Sequence, residues 1–216
     1  MIHQLDLLWR HCHDNNTGLL VHGYDASHTA VWANNITGAS PHVWGRSLGW
    51  YCMALVDTLE LLPFSHSINS SSTVVAAKRY IAHRFQTLMA AVASNADQET
   101  GAWWQVMDQP RREGNYIESS GSSMFVYALL KGVRLGYLPT SHPHSSSTSY
   151  AQRNATYTEV AFKAYTHIAN TFVINEGNGT LGWNGTVGVC SLNSTASYEV
   201  SRIGMLKRRG TMLIDG

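Results

Sequence analysis

Asp14-Asn15-Asn16-Thr17-Gly18-Leu19-Leu20-Val21-His22-Gly23-Tyr24-Asp25 and Asp97-Gln98-Glu99-Thr100-Gly101-Ala102-Trp103-Trp104-Gln105-Val106-Met107-Asp108 are the two stretches whose reading decides the fold. They align without a gap: Asp14, Thr17, Gly18 and Asp25 recur as Asp97, Thr100, Gly101 and Asp108, 83 positions later. Self-similarity at such a period marks a repeated supersecondary unit. The shared residues read as loop geometry, with Gly supplying positive φ and Asp supplying capping or turn bonds. A third, weaker copy follows at Asn178-Gly179-Thr180-Leu181-Gly182-Trp183.

Between the loops, apolar residues recur at helical spacing. Leu5, Leu8 and Cys12 form one face; Leu48, Cys52, Leu55, Leu59 and Leu62 a second; Val74, Ile81, Phe85, Leu88 and Val92 a third. Phe125, Leu129 and Val133 share a face, as do Tyr157, Ala161, Ala164, Ile168 and Phe172. No comparable stretch alternates with period two, so the expected class is all-α and the unit is helix, D-x-x-T-G loop, helix. A lone helical hairpin cannot bury its apolar face, so such units stack into a solenoid or an α/α toroid. Fewer than three periods suit an arc rather than a closed ring; an irregular helical bundle is the alternative. Ser40-Pro41 reads as a helix opening. The Ser-rich stretches Ser65 to Thr73 and Ser141 to Tyr150 read as surface insertions.

The chain has 216 residues, 15 Lys plus Arg against 14 Asp plus Glu, and a formal net charge of +1. That balance gives no field to attract nucleic acid or an anionic membrane, and no segment approaches the roughly 20 apolar residues of a membrane span. Lys207, Arg208 and Arg209 read as a solvated run. Cys12, Cys52 and Cys190 are too few and scattered for a disulfide framework. Asn-x-Ser/Thr acceptors at Asn15, Asn35, Asn69, Asn154, Asn178, Asn184 and Asn193 point to passage through the secretory pathway, although Met1 to Asp6 does not resemble a leader.

Trp44-Gly45-Arg46-Ser47-Leu48-Gly49-Trp50 places an arginine between two tryptophans. Aromatic faces stack on sugar rings and a guanidinium matches a carboxylate, so Trp44, Arg46 and Trp50 suit an acidic sugar; a buried Trp pair holding Arg46 by cation–π contact is the competing reading. His22 stands where the second repeat has Gln105, and its imidazole can donate to a sugar hydroxyl. Trp103, Trp104 and Gln105, with Asn115, Tyr116, Glu118, Ser119 and Ser120 after them, offer further binding surface; a seal for the core is the alternative for Trp103 or Trp104. His11-Cys12-His13 resembles a metal cluster, but residues two apart on a helix diverge and no third ligand is spaced to join them. Neither a metal nor another cofactor is expected.

The blocks His22-Gly23-Tyr24-Asp25, Trp32-Ala33, Thr37-Gly38, Ser40-Pro41, Trp44 to Tyr51 and Met53 to Asp57 resemble glycoside hydrolase family 105, the unsaturated rhamnogalacturonyl hydrolases. Trp103 to Asp108 and Arg112 to Ser120, into Met124-Phe125, are similar to the same family, so the likeness spans roughly residues 10 to 198. It implies an (α/α)6 six-hairpin toroid, incomplete here and represented by about its second half, with 1–198 as the partial domain and 199–216 as an atypical tail. It also implies hydration of the C4=C5 double bond of unsaturated galacturonyl-rhamnose oligosaccharides from pectin. An aspartic acid protonates C4, water adds at C5, and the hemiketal collapses to release rhamnose. His22, Trp44, Arg46 and Trp50 match the family's sugar-lining residues. The general-acid Asp is expected upstream of Met1, since Asp6 lacks the motif's context and Asp14 belongs to the loop scaffold. The resemblance thus implies an unsaturated uronyl oligosaccharide as the partner and, without the acid, weak or absent turnover; the glycosylation acceptors imply a secreted protein, and the charge balance and lack of a long apolar run imply no nucleic-acid or membrane partner. A non-catalytic carbohydrate-binding fragment and another α/α-toroid enzyme, a polysaccharide lyase or an epimerase, are the alternatives.

Overall fold

The two D-x-x-T-G loops close in the same way. In the first, Asp14 Oδ2 accepts from Thr17 Oγ1 at 2.6 Å while Gly18 N donates to Asp14 O at 2.8 Å. In the second, Asp97 Oδ2 accepts from Thr100 Oγ1 at 3.0 Å and Gly101 N donates to Asp97 O at 2.7 Å. Gly18 and Gly101 have φ of 73° and 77°, a region in which L side chains are strained. The third copy closes differently: Thr180 bonds Asn178 Oδ1 two residues back, and the segment turns a short β-hairpin.

The computed structural model describes residues 2–62, 72–140, 156–188 and 198. Five helices run in order: α1 (Ile2–Cys12), α2 (Gly45–Leu61), α3 (Ser72–Ser94), α4 (Ser119–Arg134) and α5 (Tyr157–Phe172). Strands β1 (Val173–Asn175) and β2 (Leu181–Trp183) pair antiparallel, with Ile174 opposite Gly182. The first loop (13–44) joins α1 to α2 and the second (95–118) joins α3 to α4, so each loop opens a hairpin. The Ser-rich stretch from Ser65 lies outside the described residues except for Ser72 and Thr73, which open α3. Ser141 to Tyr150, Cys190 and 199–216 lie outside them as well.

The helical faces read from sequence form the core. Leu48, Cys52, Leu55 and Leu59 of α2 meet Ile81, Phe85, Leu88 and Val92 of α3 and Phe125 and Leu129 of α4, all buried; Ala161, Ala164, Ile168 and Phe172 bury α5. Trp103 seals this core with its Nε1 donating to Val92 O at 2.8 Å. On α1 the expected face is shifted: Leu8 is 45% exposed and Trp9 is buried in its place, under the Arg84 guanidinium at 4.5 Å. α2 and α4 form the most extensive helix contact, and glycine permits it. A Cβ on Gly121 would stand 3.1 Å from Arg46 N, and one on Gly49 2.9 Å from Met124 Cβ.

Ser40-Pro41 does not open the helix. α2 begins at Gly45, and Ser40 instead clasps the first loop: its Oγ accepts from Gly23 N at 3.0 Å and its N donates to Gly23 O at 2.9 Å. The intervening segment is extended because it pairs with the second loop, Trp44 bridging to Val106. Tertiary pairing supplies bonds that a local cap would have supplied. α4 and α5 are capped conventionally, by Glu118 and by a Thr156–Glu159 capping box.

Candidate functional site

The start of α2 is held from two sides. Gly45 N donates to Gln105 O and Met107 N to Val43 O, each at 2.9 Å. Asp108 adds a fork, its Oδ1 accepting from Val43 N at 2.8 Å and its Oδ2 lying 2.7 Å from His42 Nδ1. From the first loop, His22 N donates to His42 O at 3.1 Å. These bonds bring three of the four expected residues together. The buried Trp44 ring lies 5.1 Å from the His22 ring, and Arg46 Cζ stands 4.9 Å from the Trp44 ring.

Arg46 is half-buried; its Nη1 donates to Val187 O at 2.8 Å and its Nη2 to Gly188 O. Among the described residues no carboxylate pairs with it. Two carbonyls orient the guanidinium without neutralising it, leaving its positive charge and three N–H groups for another acceptor. Burial lowers the His22 pKa below the usual imidazole range, which keeps the ring neutral near pH 7. Trp50 lies one turn further along α2 and is 60% exposed, with no hydrogen bond or ring contact to the other three. The competing sequence reading is therefore half met: Arg46 does stack on Trp44, but the two tryptophans are not a buried pair.

The nearby described carboxyls serve the scaffold. Burial alone would raise Asp14, Asp97 and Asp108, but hydrogen bonds outweigh it and leave all three below the usual carboxylate range; Thr17, Thr100 and His42 with Val43 are the main donors. Asp25 accepts from the N–H groups of Ala30, Ser27 and Thr29 and from the Ser27 hydroxyl, which lowers it to about 2. Glu118 is buried and accepts from Gly121 N, Ser120 Oγ and Val187 N. It thereby fixes the segment whose carbonyls hold Arg46. The sequence offers Glu118 as a binding residue; the structure makes it the cap of α4, a role its residue type does not signal. Asn115 is likewise structural, its Nδ2 donating to Val106 O and Gln109 O.

A cavity of about 160 Å³ between α1 and α2 is lined by His22, Ser47, Tyr51, Cys12 and Leu48 among others. A larger cleft of about 570 Å³ lies among Arg10, His11, His13, Thr37, Asp108 and Gln109, and none of the four expected sugar residues lines it. His11 stacks on Tyr24 and His13 on Trp9, so the two rings diverge. Among the described residues no three His, Cys, Asp or Glu side chains are grouped to hold a metal, and no helix is long and apolar enough to cross a membrane.

The pattern of Glycosyl Hydrolase Family 88 matches residues 1–213. Protein Atu3128 of Agrobacterium fabrum and a 24.9 kDa protein in the picA locus of Rhizobium radiobacter are each 44% identical over 121 residues, covering 56% of this chain and 47% of theirs. A solved family 105 glycoside hydrolase of C. acetobutylicum ATCC 824 superposes with a TM-score of 0.76 at 37% identity, over 93% of this chain and 50% of that one. The chain thus spans about half the length of these relatives. The all-α stack of hairpins and the family pattern lead to one assignment: the chain belongs to the family 88/105 group of glycoside hydrolases and shares their six-hairpin glycosidase fold.

Proposed function

We propose that this chain forms the sugar-holding side of a site for unsaturated uronyl oligosaccharides, with galacturonyl-rhamnose fragments of pectin as the substrate class. The observation that carries the reading is Arg46: a half-buried cation stacked on Trp44, whose ring also neighbours His22, with no described carboxylate to neutralise it. A uronyl carboxylate supplies that countercharge through a planar fork. The buried Trp44 ring backs the guanidinium, the neutral His22 offers a hydrogen-bonding partner, and the exposed Trp50 offers an aromatic face for a sugar.

The reaction is hydration of the C4=C5 bond. An acid gives a proton to C4, cationic character develops at C5 beside the ring oxygen, water adds there and loses its proton, and the hemiketal opens with release of rhamnose. A carboxyl that retains its proton near working pH is required. Asp14, Asp25, Asp97 and Asp108 are held in the opposite sense, ionised and bonded to the scaffold. None of these four is that acid; the resemblance assigns it to a hairpin outside the described residues, and on that reading this polypeptide binds substrate with little or no turnover. Extracellular residence belongs to the same proposal; Asn15, Asn35, Asn178 and Asn184, the described glycosylation acceptors, are all exposed.

The test combines calorimetric titration of the chain with unsaturated galacturonyl-rhamnose and ultraviolet absorbance of the C4=C5 bond. Saturable binding with a nearly constant absorbance is expected. Rapid loss of absorbance would refute the placement of the acid, and equal affinity for the disaccharide lacking a carboxylate would refute the role of Arg46.

A further inference from the structure

The segment that presents carbonyls to Arg46 is fastened to three helix ends. At the end of α5, Asn184 N donates to Phe172 O at 2.9 Å, and Gly185 lies so close to the Phe172 ring that an added Cβ would run into it, at a φ of +73°. At the start of α4, Ser119 N donates to Gly185 O at 3.0 Å, and the Ser119 and Thr186 hydroxyls share a hydrogen bond of 2.8 Å. The Trp183 Nε1–H is divided between those same two hydroxyls, at 3.0 Å to each. Val187 N then donates to Glu118 Oε1 at 3.1 Å. At the start of α2, the carbonyls of Val187 and Gly188 accept from Arg46. Residues 183–188 thus form a strap that hands two oxygens to the guanidinium from anchors on other helices.

The two anchoring side chains are not themselves placed among the sugar residues. Glu118 is buried, with its carboxylate taken up by Gly121 N, Ser120 Oγ and Val187 N. The Trp183 ring lines a groove between α4 and α5 with Val126, Ile168 and Ala169, and none of His22, Trp44, Arg46 and Trp50 lines that groove. Their effect on a ligand must pass through the strap. A guanidinium held in place beforehand loses less freedom when a carboxylate binds its fork, whereas a neutral ligand gains little from that order.

We infer that Glu118 and Trp183 are positioning residues that set the preference of this site for a carboxylate, acting on Arg46 through the strap. The role rests on the proposed sugar site and extends it to the third loop, which supplies backbone rather than side chains. No covalent step is involved.

The experiment compares the full chain with two variants, Glu118→Gln and Trp183→Phe. The first keeps the shape of the buried group but turns one acceptor into a donor; the second keeps an aromatic ring without its N–H. Trp183→Phe carries the test alone if loss of the α4 cap stops Glu118→Gln from folding. Without ligand, exchange of the Arg46 Nε proton with water, followed by NMR, reports how firmly the guanidinium is held. With ligand, calorimetry compares unsaturated galacturonyl-rhamnose with its carboxyl-reduced counterpart. Exchange should quicken in the variants, and their preference for the acid should fall about three- to tenfold, the scale of one net hydrogen bond. Thr156→Ala, which removes the cap of α5, should lower stability and change neither quantity. An unchanged Arg46 signal, or an unchanged preference for the acid, overturns the inference. If exchange quickens while no chain, wild type included, binds either sugar, the positioning of Arg46 stands and the sugar-site reading falls.

Discussion

Arg46 concentrates the chemistry at the scale of single residues. Its two bonds go to the carbonyls of Val187 and Gly188, so the planar fork is oriented before any ligand arrives. Removing it by Arg46→Ala should lower affinity for the unsaturated disaccharide by more than about tenfold, as expected for a charge-assisted pair in a partly dry site. Arg46→Lys should not restore it, because an ammonium cannot bond both carbonyls and a carboxylate in one plane. Affinity of the Lys variant within twofold or so of wild type, measured by calorimetry, would show that only charge matters. Trp44, Arg46 and His22 were legible as candidates because their chemistry is carried by residue type. The carbonyls that aim Arg46 were not, since any residue supplies a carbonyl and more than 140 positions separate the partners.

At the scale of elements, the repeated loops show why one part of the sequence was readable and another was not. Asp14–Thr17–Gly18 and Asp97–Thr100–Gly101 close through bonds within five residues, so the motif itself encodes the geometry. The start of α2 is settled by Val106 and Asp108, more than 60 positions away, and the local Ser-Pro signal lost to that pairing. The shift from Leu8 to Trp9 on α1 has the same origin, in Arg84 of another helix. Gly121 tests the close contact of α2 with α4. Its missing Cβ leaves room for Arg46 N, Gly45 and the Glu118 carboxyl, all near 3.1 Å. Gly121→Ala should cost about 1–3 kcal/mol in urea unfolding through overpacking and should also weaken sugar binding, since the backbone displaced carries Arg46. Gly136→Ala is the control for strain: nothing lies within 4 Å of its would-be Cβ, but its φ is +76°, so its cost of about 1 kcal/mol should leave binding unchanged. Loss of binding in both variants alike would detach the effect from the α2–α4 contact.

For the molecule as a whole, the carboxylates that organise the hairpins also set its response to acid. Asp14 and Asp97 close successive loops, and Asp108 ties the second loop to the segment entering α2. All three have folded pKa values below the ordinary carboxylate value of about 3.9. Their stabilisation is fully present above that ordinary value and disappears as pH falls through the lower folded values, because the unfolded chain takes up protons first. His22 adds a step at higher pH. Burial lowers its folded pKa, so below about 6.5 the unfolded imidazole binds a proton that the folded one resists, and stability declines as pH falls towards the folded value. The melting temperature should therefore decline gently below about pH 6.5 and steeply below about pH 4. His22→Gln, which installs the residue found at the equivalent position of the second repeat, should remove the gentle part and leave the steep one. Asp108→Asn should lower stability at neutral pH by about 1–2 kcal/mol and partly flatten the steep section, as it deletes one of the acid-labile ties. Calorimetric melting from pH 7 to pH 3 separates the two contributions, and a His22→Gln profile parallel to wild type between pH 6.5 and 4.5 would show that the buried imidazole is not the group responsible for the upper step.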